Sequence, residues 1–169
     1  MKARTDTPAA SAAGAIGPAC IAYRTRMLSR VISAIYDEAL APLDLRGSQL
    51  NVLSALARRG PSTPTELCAV LRMDKSTLSR NVARMRRRGW LATDADDDRR
   101  THTLRLTATG TRLLREAFPL WQKAQDEAAR RMGGAGVAAL ATLVKRLRAL
   151  DAAAPESVAS LPRRARRSG

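Results

Sequence analysis

The hydrophobic period of the chain changes between Gly89 and Thr107, and that change narrows the folds open to it. Before Gly89 apolar residues recur every three or four positions, the spacing of a helix with one buried face. Beyond it Thr103-Leu104-Arg105-Leu106-Thr107 alternates with period two, as a half-buried strand does, and Trp90-Leu91-Ala92-Thr93 is a short extended stretch able to pair with it. The polar residues 94–101 turn the chain between them. A hairpin therefore follows directly on a run of helices.

The helices carry their own boundaries. From Pro18 to Ala41 the residues Ile21, Leu28, Val31, Ile32, Ile35 and Ala39 make an amphipathic helix closed by Pro42. Leu50, Leu53 and Leu56 line a second, from about Ser48 to Arg59, which leaves through Gly60-Pro61. Thr63-Pro64-Thr65-Glu66 is a capping box with proline at the first helical position, so a third helix opens there and buries Leu67, Val70 and Leu71. After a short turn at Arg72-Met73, Asp74 caps a fourth, whose inward residues are Leu78, Val82 and Met85 and which Gly89 ends. Thr107 caps a fifth, Ala108 to about Met132, which Pro119 is expected to kink or divide. Gly133-Gly134 breaks the chain before a sixth, striped by Val137, Leu140, Val144, Leu147 and Leu150.

Residues 1–17 are small and polar without periodicity and read as a disordered arm. Residues 153–169, with Arg163-Arg164-Ala165-Arg166-Arg167, read as a basic tail. The fold class is thus mainly α with a small β-hairpin wing: a winged helix-turn-helix at about 45–107, within a domain of 18–152. Its flanking helices, 18–41 and 108–152, are placed for dimerisation.

Charge supports a polyanionic partner. The chain carries 30 Lys and Arg against 15 Asp and Glu, a formal +15, which favours nucleic acid through counterion release. Yet only four of the cations are lysines in an alanine-rich chain, so part of this excess is compositional. Aromatic residues are 3% of the chain, so the core is aliphatic. No run reaches the roughly 20 apolar residues of a membrane span, and Lys2 and Arg4 are followed by no apolar segment. The expected location is therefore cytoplasmic, with no membrane partner. Two cysteines and one histidine, His102, in the hairpin, suit neither a disulfide framework nor a metal site or catalytic triad, so neither a cofactor nor an enzyme is expected.

With Leu78, Val82 and Met85 inward, the fourth helix turns Ser76, Thr77, Ser79, Arg80 and Arg84 outward, with Lys75 at its start. Hydroxyls and an arginine fork suit base edges in the major groove of double-stranded DNA. Thr63 and Thr65, at the start of the preceding helix, are candidates for the DNA backbone. In the hairpin, Arg99 and Arg100 follow the acidic run Asp94, Asp96, Asp97, Asp98. Asp98 is placed to hold an arginine by a charge-assisted bond, and an arginine so fixed can enter a narrow minor groove.

Asp98-Arg99-Arg100 followed by Leu106-Thr107-Ala-Thr-Gly110 resembles the wing signature of the MarR family of bacterial regulators, Asp-x-Arg and then Leu-Thr-x-x-Gly. Thr65-Glu66-Leu67-Cys68-Ala69-Val70-Leu71 and Asp74-Lys75-Ser76-Thr77-Leu78-Ser79-Arg80 are similar to the family's two reading-unit helices. The likeness runs from about Pro18 to Ala152. It implies a homodimer interlocked through its first, fifth and sixth helices, with each chain reading half of a palindromic operator. It implies a repressor released by a small aromatic acid or phenol, or by oxidation of a cysteine. The candidate ligand residues are Tyr23, Arg24, Tyr36 and Trp121. The candidate redox residue is Cys20, at the start of a helix where the dipole and Arg24 would favour thiolate chemistry. One departure is Arg46-Gly47, which stands where the family commonly has a threonine cap. A sequence-independent architectural DNA-coating protein is the alternative from another class, and a protein–protein adaptor a third.

Overall fold

The computed structural model describes residues 8–95 and 102–153. In chain order these form α1 (Pro8–Ala19), α2 (Ile21–Leu40), a 3-10 turn (Ala41–Leu43), α3 (Gly47–Arg59), α4 (Pro64–Leu71), α5 (Lys75–Arg87), β1 (Leu91–Ala95), β2 (His102–Leu106) and α6 (Ala108–Ala153). The described residues fall into two compact bodies, divided between Ala128 and Ala129.

The first body is built around Leu40, Leu45, Leu53, Leu67, Leu78 and Met85, each at most 1% exposed. Burying one such leucine stabilises the fold by about 2 kcal/mol. These residues come from α2 and its turn, α3, α4 and α5, and Leu91, Leu104 and Leu113 bring the hairpin and α6 onto the same cluster. The strands pair antiparallel, Leu91 opposite Leu106 and Thr93 opposite Leu104. An isolated antiparallel bridge adds to this pair. Ser62 N donates to the Leu104 carbonyl at 3.0 Å and Leu104 N to the Ser62 carbonyl at 2.9 Å, which ties the hairpin to the segment just before α4.

The element boundaries follow the sequence reading closely from α3 to β2, and depart from it in two places. Pro8–Ala19 is helical where an arm was expected, because its alanines favour helix even with few partners. Pro119 does not divide α6; the backbone leaves helical dihedrals at Gly133 instead (φ 68°). The bond that Pro119 forfeits costs roughly 3 kcal/mol, and buried Leu113, Ala117, Ala124 and Ala128 on either side hold the helix in place against that loss. The apolar stripe along α2 is buried within this chain only at its end: Ile35 packs with Ala124 and Ala128, while Ile21, Leu28 and Val31 are exposed. In the second body Val137, Leu140, Leu143, Val144, Leu147 and Leu150 are likewise exposed.

Candidate nucleic-acid interface

α4 and α5 are set by their caps. Thr63 Oγ1 accepts from Glu66 N at 3.3 Å, and Glu66 Oε2 accepts from Thr63 N at 2.8 Å, the expected reciprocal box. Asp74 Oδ1 accepts from Thr77 N at 2.8 Å and from the Ser76 hydroxyl at 2.5 Å. The Ser76 and Thr77 hydrogen bonds hold the Asp74 carboxyl far below the usual carboxylate range, and the bonds to Thr63 lower that of Glu66. In both, the ionised form is favoured by folding, so the stabilisation is full above the unfolded values, about 3.9 and 4.3, and is lost as pH falls below them. Acid titration of the folded protein should therefore destabilise α4 and α5 below about pH 4. Asp74→Asn should flatten that dependence in chemical-denaturation curves taken from pH 5 to pH 2.5, and an unchanged pH profile would remove Asp74 from the account.

The outward face of α5 is as expected in its first half. Lys75, Ser76, Ser79 and Arg80 are exposed, and Thr77, half-buried, receives a bond from Arg80 Nη2 at 3.2 Å. Thr65 is exposed in the first turn of α4, whereas the Thr63 hydroxyl is taken up by the Glu66 box. The exposed row continues through Ala83 to Arg87 at helical spacing, so Arg87 joins the face seven residues after Arg80. The sequence reading did not single it out. Arg84 stands apart from this row: its Nη2 lies 2.9 Å from Asp44 Oδ1. Arg88 pairs with the other oxygen of Asp44 and covers the ring of Trp90 at 5.2 Å.

The base of the hairpin explains the Leu106-Thr107-x-x-Gly110 spacing. Thr107 Oγ1 donates to the Gly89 carbonyl at 2.6 Å and accepts from Gly110 N at 3.0 Å, while Thr107 N donates to the Trp90 carbonyl at 3.1 Å. One threonine thus caps α6 and closes the exit of α5. Asp98, Arg99 and Arg100 lie outside the described residues. Within them, the wing's arginine–carboxylate pair is Arg105 Nε with Asp94 Oδ2 at 2.7 Å.

α3 receives its missing cap from another helix. Asp37 of α2 accepts from Gly47 N at 2.8 Å and pairs with Arg46 at 3.2 Å, and Gln49 Oε1 accepts from Arg46 N at 3.1 Å. Next to this junction lies a cleft of about 570 Å³ lined by Ile32, Tyr36, Asp37, Arg46, Ser48 and Trp121, among others. The structure brings two of the four predicted ligand residues, Tyr36 and Trp121, to it. The exposed Tyr23 and Arg24 do not line it, and Arg46 supplies the cation instead. Tyr36 donates its hydroxyl to Gln125 Oε1, and burial raises its phenol above the ordinary value. Cys20 is the half-buried N-cap residue of α2, with no side-chain cap bond, and does not line the cleft.

Capped helix, turn, capped helix and an anchored two-stranded hairpin define a winged-helix, DNA-binding transcription regulator. The MarR-family model matches residues 43–101, from the turn before α3 into the wing. Over 123 residues, 72% of this chain and 85% of the relative, the sequence is 28% identical to the multiple antibiotic resistance protein MarR of Escherichia coli. The fold is similar to the transcriptional regulator MosR of M. tuberculosis, with a TM-score of 0.66 and 30% identity over 78% of this chain and 97% of that one. It is also similar to a cysteine-to-serine mutant of E. coli MarR complexed with operator DNA, with a TM-score of 0.69 and 25% identity over 78% and 96%. The chain belongs to the MarR family. Among the described residues no helix is long and apolar enough to cross a membrane.

Proposed function

We propose that this chain is a cytoplasmic homodimeric repressor that reads a palindromic operator with α5 and is released by a small aromatic acid or phenol. The observation that carries the reading is the exposed row Ser76, Ser79, Arg80 and Arg87 on a helix whose start is fixed by Asp74 and whose exit is fixed by Thr107. Such a helix presents hydrogen-bonding groups in a set geometry, as reading base edges in the major groove requires. Exposed Met27, Leu28 and Val31 on α2 and the leucine and valine stripe of the second body support a second copy as partner, since apolar faces of this extent mark interaction surfaces. Selection from a random-sequence duplex pool tests the reading. Enrichment of an inverted repeat protected on both halves is the expected result, and indifference to sequence at all salt concentrations would favour the architectural alternative.

The cleft beside α3 supports the effector. It pairs rings, Tyr36 and Trp121, with the Arg46 guanidinium, which Asp37 holds through Nη1 and whose second terminal nitrogen suits the carboxylate of a flat molecule. Benzoate should bind to the wild-type protein and weaken operator binding. Arg46→Gln should raise the benzoate Kd by roughly tenfold, the loss of one charge-assisted bond, while phenol binding changes little. Equal losses for the two ligands, read by calorimetry, would take Arg46 out of the site.

A further inference from the structure

Asp44 closes the 3-10 turn after α2 in the left-handed region, φ 47° and ψ 39°. Non-glycine residues there are uncommon, and asparagine and aspartate are the least costly of them. Its carboxylate is divided between two cations, Oδ1 with Arg84 of α5 and Oδ2 with Arg88, the C-cap residue of that helix. At 100° per residue, Arg84 and Arg88 sit roughly 90° or more around the helix from the middle of the Ser76, Ser79, Arg80, Ala83, Arg87 row. They therefore flank the reading face on the shoulder where a groove-bound helix meets phosphates, and all three side chains are 36–54% exposed.

We propose that Asp44 is a specificity-determining positioning residue, which holds Arg84 and Arg88 off the phosphate backbone and sets the rotation of α5 over the turn before α3. The inference rests on α5 being the DNA-reading helix. Its physical content is a trade. A guanidinium on a phosphate strengthens binding to every sequence alike, whereas base-edge contacts strengthen binding to one. A chain with a formal charge of +15 has sequence-independent attraction in excess. A carboxylate built into the shoulder of the reading helix reduces that attraction where it competes most directly with base reading.

The test uses the full-length protein with two probes of equal length: the duplex it enriches from a random pool, and a scrambled duplex of the same composition. Asp44→Asn keeps a side chain at ease in the left-handed region and removes the charge. Freeing two guanidiniums should steepen the dependence of log affinity on log salt by about 1.8 per protomer on scrambled DNA, roughly a twelvefold larger loss between 50 and 200 mM salt. Scrambled DNA should bind more tightly at low salt, and the operator-to-scrambled ratio should fall. Adding Arg84→Gln and Arg88→Gln to Asp44→Asn should return the slope to its wild-type value. Asp44→Gly, compatible with the same backbone, repeats the experiment if the asparagine variant does not fold. An unchanged slope, or equal losses on both duplexes with a lowered melting temperature, reduces Asp44 to a structural brace and overturns the proposal. If Arg80→Ala also leaves the operator-to-scrambled ratio intact, the assignment of α5 falls with it; if Arg80→Ala lowers the ratio while Asp44→Asn does not, only the role of Asp44 is lost.

Discussion

Gly110→Ala is expected to destabilise the protein by about 3 kcal/mol, although it replaces glycine by alanine inside a helix. At an unconstrained helical position that exchange gains up to about 1 kcal/mol, so the sign is diagnostic. The reason is a backbone approach: a Cβ on Gly110 would lie 2.1 Å from the Trp90 carbonyl oxygen and 3.1 Å from its carbon. Neither atom can yield. The same carbonyl accepts from Thr107 N, Trp90 N donates to the Met85 carbonyl, and the indole of Trp90 is buried at 6% exposure. Relief would have to move the start of α6 away from the exit of α5, breaking the Thr107 bonds to Gly89 and Gly110. Gly134→Ala is the control, since nothing lies within 4 Å of a Cβ there. Thermal melting at one fixed protein concentration should place Gly110→Ala some 6–12 °C below wild type and Gly134→Ala at or slightly above it. A Gly110→Ala protein that melts with the wild type would mean that the close approach does not exist in solution.

Because the lock joins the hairpin to the exit of α5, damage there should also reach DNA binding, and the family signature acquires a mechanical meaning. The spacing Leu106-Thr107-x-x-Gly110 was legible in the sequence as a pattern. What it does was not, because its partner atoms, the carbonyls of Gly89 and Trp90, carry no side-chain identity to read. The same division runs through the molecule. Thr63 with Glu66 and Asp74 with Thr77 were readable because both partners lie within three residues, where the helix itself dictates the geometry. Asp37 as the cap of α3, ten residues from Gly47, and Asp44 as the partner of Arg84, forty residues away, depend on how the helices pack. No local rule anticipates either. Arg84 shows the cost of this: periodicity placed it outward, and it is outward, but a carboxylate from another element holds it. The cleft beside α3 shows the same limit. Tyr36 and Trp121 were named from residue type, whereas Arg46 became its cation only once Asp37 drew the start of α3 against α2.

Arg80→Ala carries the largest expected effect on DNA binding and discriminates between the modes available to α5. The Arg80 side chain is exposed on the proposed reading face, and its Nη2 bond to Thr77 Oγ1, one turn earlier, holds it along the helix. An arginine steadied in this way loses less freedom on meeting a guanine O6/N7 edge, and such a bidentate contact is worth about 1–3 kcal/mol of discrimination. Operator affinity should fall by roughly 5- to 150-fold per half-site contact, while on scrambled duplex the salt slope should flatten by about 0.9, which makes the loss between 50 and 200 mM salt about 3- to 4-fold smaller. Arg80→Lys separates the two contributions. It keeps the charge and removes the planar fork, so the scrambled-duplex affinity should return and the operator preference should not. If lysine restores operator binding in full, Arg80 acts on the backbone as a point charge, and base reading must be sought in Ser76, Ser79 and Arg87 along the same row.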